Sequence, residues 1–478
     1  MALRPMHDLI IFLPGIMGSL LVKDGKALWG LAALPRTLQF ERLIRDLTLA
    51  GDDAEQPSLG DGVVATELMP AAQLIPGFWK IDGYTTLIDA IQHQFAVTVG
   101  SIHTPQANAN FFPFPYDWRR DNRANARRLA TFIEQQIRVW RTTSGNPNAK
   151  VILIAHSMGG LIARYYLECL GGAAECRVLM TFGTPYRGSL DALNTLANGL
   201  RVGSLDVSSA LRSFTSVYQL LPTYPVIQSR DTYLTVSDVA QIANLDRSRA
   251  HAALVDFHQP MEDCARARSR ANLPLPYQSF LLIGTNQPTK QSAILTGDAV
   301  ALSNTLPEPV RKRDMPGFGD NTVPFYAALP GGTRITDHAL HFGVECHSSL
   351  QCNLHLLQQL LETLHLLQAD QAVLGMGSAP SDTQPGLRLL LDAAYPPEGG
   401  VIRVEPVQLA AEPGDLRVSI TPLAPQRPPN EQQVPFANGA WHIELDRPTP
   451  GIYRINAALQ RIGSGGSHPI QDLFEVVE

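Results

Sequence analysis

The stretch Lys150-Val-Ile-Leu-Ile-Ala-His-Ser157-Met-Gly-Gly160 decides the fold, because an apolar run leads into a serine and then into small residues. A continuous apolar run of this length is typical of a strand buried on both faces of a parallel sheet. Ala155 and Gly159 supply the small side chains that a tight strand-to-helix turn requires on either side of Ser157. The sequence therefore predicts a nucleophile elbow at Ser157, and the alternative is a turn serine that caps a helix.

Outward from this stretch, short apolar runs alternate with amphipathic stretches from about residue 8 to residue 367. This alternation indicates βα units and an α/β fold with a mainly parallel sheet. We expect helices over Arg123–Trp140 and Met158–Leu170. The predicted strands are Leu9–Leu13, Phe95–Val99, Val151–Ala155, Val178–Phe182 and Phe280–Ile283.

A leucine-rich helix ends the α/β region. Its leucines recur with helical spacing, which predicts one apolar face that covers one side of the sheet. The leucines of this face are Leu350, Leu354, Leu357, Leu361 and Leu364.

Two regions interrupt the alternation and suggest the domain organisation. Residues 188–275 lack a strand of the sheet core and are predicted to form an inserted lid or cap within a catalytic domain at 1–370. Residues 371–382 are rich in turn-forming residues and are predicted to be a linker. Residues 383–478 are predicted to form an all-β, sandwich-like domain. Its strand-like runs are Leu387–Leu391, Val401–Val404, Leu416–Ile420, Trp441–Leu445 and Tyr453–Ala457.

Composition narrows the class of protein. The chain has 478 residues, of which 45% are hydrophobic and 17% charged, and this is too apolar for intrinsic disorder. The net charge is −6 and no basic run stands out, so we expect no nucleic-acid partner. The five cysteines form no CxxC pair, which favours a reducing, cytoplasmic location without a disulfide framework. The alternative is secretion, since Met1–Val22, with Arg4 and then an apolar stretch from Leu9, loosely resembles a signal peptide, although Pro14 and Gly15 interrupt the stretch.

A serine nucleophile needs a base and an acid, and in α/β-hydrolases the acid and then the base follow the serine in the chain. Asp320 is the candidate acid because it lies in a turn-rich loop after a predicted strand; an Asx turn is its structural alternative. His338, His341 and His347 are candidate bases. We favour His347 because it directly precedes the leucine-rich helix.

The tetrahedral intermediate of acyl transfer needs two backbone donors for its oxyanion. The elbow places the Met158 N–H at the start of a helix, where backbone donors are unpaired. The segment after the first strand contains Pro14 and Gly15, which allow the backbone to turn so that the Ile16 N–H points at the same oxygen. A purely structural turn would also explain Gly15.

These segments resemble those of the lecithin:cholesterol acyltransferase family, which includes lysosomal phospholipase and the phospholipid:diacylglycerol acyltransferases. The resemblance extends over roughly residues 8–367. The matching segments are Leu13-Pro-Gly-Ile-Met-Gly-Ser19, Pro115-Tyr-Asp-Trp-Arg119, Ala155-His-Ser-Met-Gly-Gly160, Phe182-Gly-Thr-Pro185 with Gly188, Leu220-Leu-Pro222 and Gly319-Asp-Asn-Thr-Val-Pro324. The resemblance implies an α/β-hydrolase fold. It also implies that Ser157 is the nucleophile, Asp320 the acid and His347 the base, with Ile16 and Met158 as oxyanion donors.

The chain departs from the secreted members of that family, which carry a disulfide near the lid. No cysteine precedes Cys169, so the resemblance implies a lid around Trp29–Leu49 that is held by packing alone. We interpret Asp117 and Trp118 as structural, with Asp117 capping a helix, and His156 as a packed or hydrogen-bonded histidine. Aromatic residues in Pro/Gly-rich loops either contact a lipid surface or fold their loops onto the core. They are Phe78, Trp79, Phe111, Phe112 and Phe114.

The resemblance implies a serine O-acyltransferase that acts on lipid acyl esters through an acyl-enzyme. A lipase, phospholipase or carboxylesterase that uses water as the acceptor is the first alternative, and a non-catalytic binding protein on the same fold is the second. No cofactor and no metal are expected, because no clustered His/Cys ligand spacing is present. The expected partner is a lipid or ester substrate, and transient contact with a membrane surface is compatible with it.

Overall fold

A six-stranded parallel sheet forms the centre of the structure, a computed structural model that describes residues 3–30, 40–69, 83–202, 205–311, 318–368, 386–391, 394–407, 414–422, 428–459 and 469–476. The strands of the sheet are β1 (Leu9–Leu13), β2 (Phe111–Pro113), β3 (Val151–His156), β4 (Cys176–Phe182), β5 (Gln278–Gly284) and β6 (Ala339–Gly343). They lie in the order β6-β5-β4-β3-β1-β2, and every neighbouring pair is parallel. The predicted α/β-hydrolase fold with a mainly parallel sheet is confirmed.

Helices cover both faces of this sheet. Alternate residues of each strand point to opposite faces. On one face Ile11 and Leu153 pack in the same apolar cluster as helix α1 (Asn122–Ser144) and helix α2 (Met158–Cys169). On the other face Ile10 and Ile152 pack with helix α3 (Leu354–Gln368), and Leu360 and Leu364 of that helix are fully buried. The sheet is therefore the middle layer of three.

The two edges of the sheet differ from the sequence prediction. The predicted strand Phe95–Val99 is not continuous: Phe95–Ala96 pairs with Arg4–Pro5 outside the central sheet, whereas Val99 forms a parallel bridge with Phe111 of β2. The edge positions belong instead to β2 and β6, which the sequence did not predict. Each has a weak apolar signal, because β2 is only three residues long and ends in a proline, and β6 contains His341.

Helix α3 spans Leu354–Gln368 and covers the sheet as predicted, but with a different set of leucines. Leu354 is 56% exposed, and Leu350 lies before the helix in the 3-10 turn His347–Cys352. Leucines populate more than one face of this helix, so their spacing alone fits two registers. The buried residues of α3 are Leu356, Leu357, Leu360, Thr363, Leu364 and Leu367.

Short helices and strands make up residues 188–275, and in the part that the structure describes this region adds no strand to the central sheet. Its strand Ile227–Ser229 pairs with Ser292–Thr296 in a separate four-stranded sheet. Its helices bury residues such as Leu193 and Phe257 in the cluster that also covers α2. The helical segments are Leu190–Asn198, Ser208–Ser213, Thr215–Tyr218, Arg247–Ala252, the π-helical Ala253–His258 and Gln259–Arg270.

The C-terminal region is built from β-strands, as predicted. They are β7 (Gly386–Leu390), β8 (Gly399–Val407), β9 (Leu416–Pro422), β10 (Asn430–Val434), β11 (Ala440–Asp446), β12 (Gly451–Leu459) and β13 (Ile470–Val476). One sheet contains β7-β8-β11 and the other β13-β12-β9-β10, and these neighbours are antiparallel. Trp441, Ile455 and Phe474 belong to the apolar cluster of this region. The predicted linker at 371–382 lies outside the described residues.

The remaining elements surround the start of the central sheet. Two further helices span Phe40–Leu47 and Thr85–Gln94, and a three-stranded sheet contains Ser19–Lys23, Lys26–Trp29 and Val63–Leu68. The middle of the predicted lid at Trp29–Leu49 lies outside the described residues. Among the described helices, none combines the length and the apolar character that crossing a bilayer would need.

Candidate active site

Ser157 lies between β3 and α2 on a sharp turn. Its backbone has φ 51° and ψ −125°, a conformation that residues with a side chain rarely adopt. A Cβ at Gly159 would collide with the Pro14 carbonyl, and one at Gly160 would collide with the Thr184 hydroxyl. The small residues after Ser157 therefore let α2 start tight against the neighbouring loops, as the sequence interpretation required.

His347 reaches Ser157 from a loop that follows β6. The His347 Nε2 lies 2.9 Å from the Ser157 Oγ, so the hydroxyl can donate its proton to the imidazole. His347 starts the 3-10 turn that precedes α3, and its backbone N–H donates to the Asp320 carbonyl at 2.6 Å. The side chains of Ser157 and His347 are both buried, which excludes water that would compete for the hydrogen bond between them.

Asp320 is the third member of this hydrogen-bonded chain. Its Oδ2 accepts from the His347 Nδ1 at 2.7 Å, which assigns the proton to Nδ1 and leaves Nε2 free to accept from serine. Its Oδ1 accepts from the backbone N–H groups of Thr322 and Val323, at 3.0 and 2.6 Å. Asp320 can therefore form an Asx turn and also serve as the acid, because each role uses a different carboxylate oxygen.

Two glycines create the space for this pair. A Cβ on Gly183, whose φ is +55°, would lie 2.9 Å from the Asp320 Oδ2 and 3.0 Å from the His347 Nδ1. A Cβ on Gly284 would lie 2.5 Å from the Asp320 Cβ. Gly183 and Gly284 follow and end neighbouring strands, so the acid and the base meet at the carboxyl end of the sheet.

The predicted oxyanion donors border the same serine. A Cβ on Gly15 would lie 3.0 Å from the Ser157 Cβ, so the loop that carries Ile16 passes directly over the elbow. Met158 is the first residue of α2, where backbone N–H groups have no partner within the helix. Ile16 is buried in the main apolar cluster, which fixes the loop beside the site.

The motif Tyr116-Asp-Trp-Arg119 holds this loop in place. The Tyr116 hydroxyl donates to the Pro14 carbonyl at 2.8 Å, and the Trp118 indole donates to the Ser19 carbonyl at 3.1 Å. Asp117 binds the Arg119 guanidinium through both carboxylate oxygens, at 2.9 and 2.7 Å. Asp117 and Trp118 are therefore structural as expected, but the helix cap is wrong: Asp121, not Asp117, caps α1.

Tyr84 and His156 form a buried relay; His156 is hydrogen-bonded as expected, whereas the sequence interpretation missed Tyr84. The Gly15 N–H donates to the Tyr84 hydroxyl at 2.8 Å, and that hydroxyl lies 3.2 Å from the His156 Nδ1. The His156 Nε2 donates to the His347 carbonyl at 3.0 Å, so Nδ1 must accept from Tyr84. Burial lowers the pKa of His156 to about 3, which keeps the ring neutral. The relay links the loop of Ile16 to the backbone of the candidate base.

The other two candidate bases lie away from Ser157. The His338 Nδ1 bonds the Ser279 hydroxyl at 2.8 Å and its Nε2 bonds the Thr333 hydroxyl at 2.9 Å. His341 is part of β6 and stacks on Phe280 with ring centroids 5.9 Å apart. Neither contacts the elbow, so His347 is the histidine that the structure brings to Ser157.

The aromatic side chains at 111–114 belong to the core. Phe111, Phe112 and Phe114 are fully buried, and β2 contains the first two of them. The lipid-contact alternative is therefore wrong for these three residues: Phe112 and Phe114 pack in the cluster that contains α1, and Phe111 packs in the cluster on the opposite face of the sheet. Phe78 and Trp79 lie outside the described residues.

Within the described ranges, no group of three or more His, Cys, Asp or Glu side chains is arranged to hold a metal ion. Among the described cysteines, Cys169, Cys176 and Cys264 are free thiols.

Comparison with known proteins supports the family resemblance over part of the chain. Residues 78–293 match the model of the lecithin:cholesterol acyltransferase family, which confirms the resemblance for that segment. The matched segment contains Ser157 and ends before Asp320 and His347. Two curated relatives, the lysosomal phospholipase A and acyltransferase of Homo sapiens and of Rattus norvegicus, are each 32% identical over 119 residues. That alignment covers 23% of this chain, and the chain spans only 27% of the length of these relatives.

The similarity to solved structures is more distant. A chain of the Tle4–Tli4 complex is 13% identical with a TM-score of 0.44, covering 77% of this chain and 99% of that chain. The Bacillus licheniformis lipase BlEst2 in its propeptide form is 12% identical with a TM-score of 0.33, covering 98% of this chain and 94% of that chain.

Proposed function

We propose that this protein is a serine-dependent enzyme that processes acyl esters of lipids through an acyl-enzyme intermediate. The observation that carries the proposal is the chain of hydrogen bonds from the Ser157 Oγ to the His347 Nε2, at 2.9 Å, and from the His347 Nδ1 to Asp320, at 2.7 Å. Each of these groups comes from a different loop, and a structural serine would need neither partner. The family match around Ser157 supports a lipid ester as the substrate.

In the proposed mechanism, Ser157 attacks the ester carbonyl carbon while the His347 Nε2 takes the proton of its hydroxyl. The Asp320 carboxylate keeps the proton on Nδ1 and stabilises the imidazolium that forms. The N–H groups of Ile16 and Met158 stabilise the oxyanion of the tetrahedral intermediate. His347 then gives its proton to the departing alcohol oxygen, which leaves the acyl group on Ser157.

The acyl-enzyme is discharged by a second attack, for which His347 acts again as the base. We propose an alcohol as the acceptor, which makes the protein an O-acyltransferase. Water as the acceptor is the second candidate, since curated relatives are named for both phospholipase and acyltransferase activities. Incubation of the enzyme with a phospholipid and a long-chain alcohol separates them: transfer yields a new ester, whereas hydrolysis yields only free fatty acid.

A non-catalytic binding protein is the remaining alternative. Backbone strain of the kind found at Ser157 costs on the order of 1–3 kcal/mol and persists mainly where it serves a mechanism. This favours an enzyme over a binding protein that had kept the fold but lost the chemistry. We also propose a reducing, cytoplasmic location and a transient contact with lipid surfaces; the free thiols of Cys169, Cys176 and Cys264 support the first of these.

The replacement Ser157→Ala tests the proposal directly. We expect ester turnover to fall by about 10³-fold or more, because no other group can form the acyl-enzyme. A fluorophosphonate probe should label the wild-type protein at Ser157 and should leave the variant unlabelled. Because alanine removes only the hydroxyl, the thermal midpoint should stay near that of the wild type. Undiminished turnover by a folded Ser157→Ala variant would rule out the mechanism.

A further inference from the structure

The loop that carries His347 is embedded in the C-terminal β-region on both sides of the histidine. Cys346, the residue before it, is 2% exposed and belongs to the same apolar cluster as Leu387 and Phe474. Ser348, the residue after it, donates from its Oγ to the Asp472 Oδ1 of β13 at 2.9 Å, in a buried hydrogen bond. The position of His347 is thus fixed in part from outside the α/β region.

Glu345 adds a third contact between this loop and β13. Its carboxylate accepts from the Cys346 N–H at 3.0 Å and from the Asn353 side chain at 3.3 Å, and it also accepts from the backbone of Gln471. Burial, with a smaller contribution from the charge of Asp472, raises the pKa of Glu345 to about 8. Two carboxyl groups are therefore buried side by side at this contact.

The loop that carries Asp320 is held by the same region. The Gln287 backbone N–H donates to the Gly319 carbonyl at 3.0 Å. The Gln287 side chain continues into β7, where its Nε2 donates to the Leu387 carbonyl and its Oε1 accepts from the Leu389 N–H, both at 3.3 Å. The Arg388 guanidinium lies 4.7 Å from the centre of the Phe318 ring, two residues before Asp320.

Holding the C-terminal β-region against the α/β region does not by itself explain why polar and charged residues form this contact. Burying a carboxyl group costs several kcal/mol unless it is well hydrogen-bonded, and apolar side chains would join two surfaces at lower cost. Directional bonds fix geometry instead, and a misplacement of about 1 Å at a reacting group can lower a rate by about 10²-fold. The polar contacts described above lie at the two loops that carry His347 and Asp320, where the geometry of the reacting groups is set.

We infer that the C-terminal β-region is a brace for the acid and base loops, and that Asp472 is a positioning residue for His347. Asp472 acts through Ser348: its carboxylate holds the serine hydroxyl, and the adjoining backbone holds the imidazole in line with Ser157. This inference rests on the proposed function, because it assigns to the brace the orientation of the group that activates Ser157.

The test compares three variants of the full chain. Asp472→Ala removes the acceptor of the Ser348 hydroxyl, whereas Asp472→Asn keeps an oxygen that can accept it. Tyr453→Phe is the matched control: it removes a hydrogen bond of the same β-region, from the Tyr453 hydroxyl to the Thr449 carbonyl, that is not directed at either loop. The measurements are kcat and KM for a chromogenic acyl ester, the rate of fluorophosphonate labelling, and the thermal midpoint.

We expect Asp472→Ala to lower kcat by about tenfold or more, with KM within about twofold of the wild type, because the substrate does not contact Asp472. The labelling rate should fall in parallel. Asp472→Asn should recover most of kcat, and Tyr453→Phe should keep it. An Asp472→Ala variant with wild-type kcat and only a lower thermal midpoint would overturn the inference.

If Asp472→Ala does not fold, Ser348→Ala gives the answer, since it breaks the same hydrogen bond from the other side and leaves the carboxylate in place. Equal kcat in Ser348→Ala and the wild type would then overturn the brace. Failure of the proposed function has a different signature, because turnover would persist in Ser157→Ala. Loss of turnover in Ser157→Ala with no effect of Asp472→Ala or Ser348→Ala refutes the brace alone.

Discussion

Ser157 occupies a backbone conformation with φ 51° and ψ −125° that glycine adopts without strain. We therefore expect Ser157→Gly to raise the free energy of unfolding by about 1 kcal/mol, since relief of strain exceeds the extra entropy of the unfolded glycine. The same variant should lose ester turnover. Ser157→Ala is the control, because it loses turnover and keeps the strain. Calorimetric melting of both variants checks the prediction, and a glycine variant no more stable than the alanine variant would contradict it.

Tyr84 offers a second test with single residues. Tyr84→Phe leaves the buried Gly15 N–H and the His156 Nδ1 without their shared partner, which should lower stability by about 1–3 kcal/mol. We also expect a lower kcat, because Gly15 precedes the Ile16 donor. Tyr186→Phe is the matched control: its buried hydroxyl bonds Thr181 at 3.1 Å, remote from the oxyanion loop, so it should lower stability only. Equal kcat in both variants would argue against the relay.

Sequence reasoning could identify Ser157, Asp320 and His347 as candidates because each has a local signature: an elbow, a turn-rich loop and the start of a helix. Their catalytic roles remain predictions. Tyr84 had no such signature, since its partner Gly15 lies 69 residues away and nothing in the neighbourhood of Tyr84 in the chain points to that contact. Contacts of this kind depend on which loops the sheet brings together, and spacing along the sequence does not contain that information.

At the scale of elements, helix α3 shows that leucine spacing predicted the helix but not all of the leucines that it buries. Leu360 is fully buried, whereas Leu354, which the spacing placed on the buried face, is 56% exposed. We expect Leu360→Ala to cost about 2–5 kcal/mol of stability through the cavity that it leaves. Leu354→Ala on the same helix should cost less than about 0.5 kcal/mol. Chemical denaturation of the two variants measures the difference, and similar losses would mean that the register of α3 is wrong.

The strands of the central sheet also divide into those that the sequence predicted and those that it missed. The inner strands β1, β3, β4 and β5 were predicted because a parallel strand buried on both faces is a continuous apolar run. The edge strands β2 and β6 were missed because they are short or mixed in character, and their pairing depends on the neighbour that the fold supplies. The predicted strand Phe95–Val99 is interrupted, because Phe95–Ala96 pairs with Arg4–Pro5 while Val99 bridges to β2 of the central sheet.

For the molecule as a whole, buried neutral histidines predict a sensitivity to acid. Burial lowers the pKa of His258 and of His338 to about 4, and that of His156 to about 3. Between the unfolded value of about 6.5 and these values the unfolded chain binds more protons than the native one, so stability falls as the pH falls. The contribution of these neutral rings to the free energy of unfolding is fully present above pH 6.5 and is lost as the pH approaches 4.

His258→Gln tests this prediction, since glutamine cannot gain a proton but can still donate to the Gln219 carbonyl that His258 contacts at 2.7 Å. The difference in stability between pH 7 and pH 4 should shrink by on the order of 3 kcal/mol in the variant. Replacement of the exposed His251 by Gln serves as the control and should leave the pH profile of stability unchanged. Identical profiles for His258→Gln and the wild type would refute the assignment.

Ser348 and Asp472 are separated by 124 residues along the chain, although their side chains touch. At translation rates of about 5–20 residues per second, a ribosome would have made Ser157, Asp320 and His347 roughly ten seconds before the strand that contains Asp472. A growing chain would then possess every reacting group while its imidazole still lacked support. Under the brace inference, esterase activity would begin only after the strand that contains Asp472 has been made, and growing chains that lack this strand would spare the lipids close to the translation machinery.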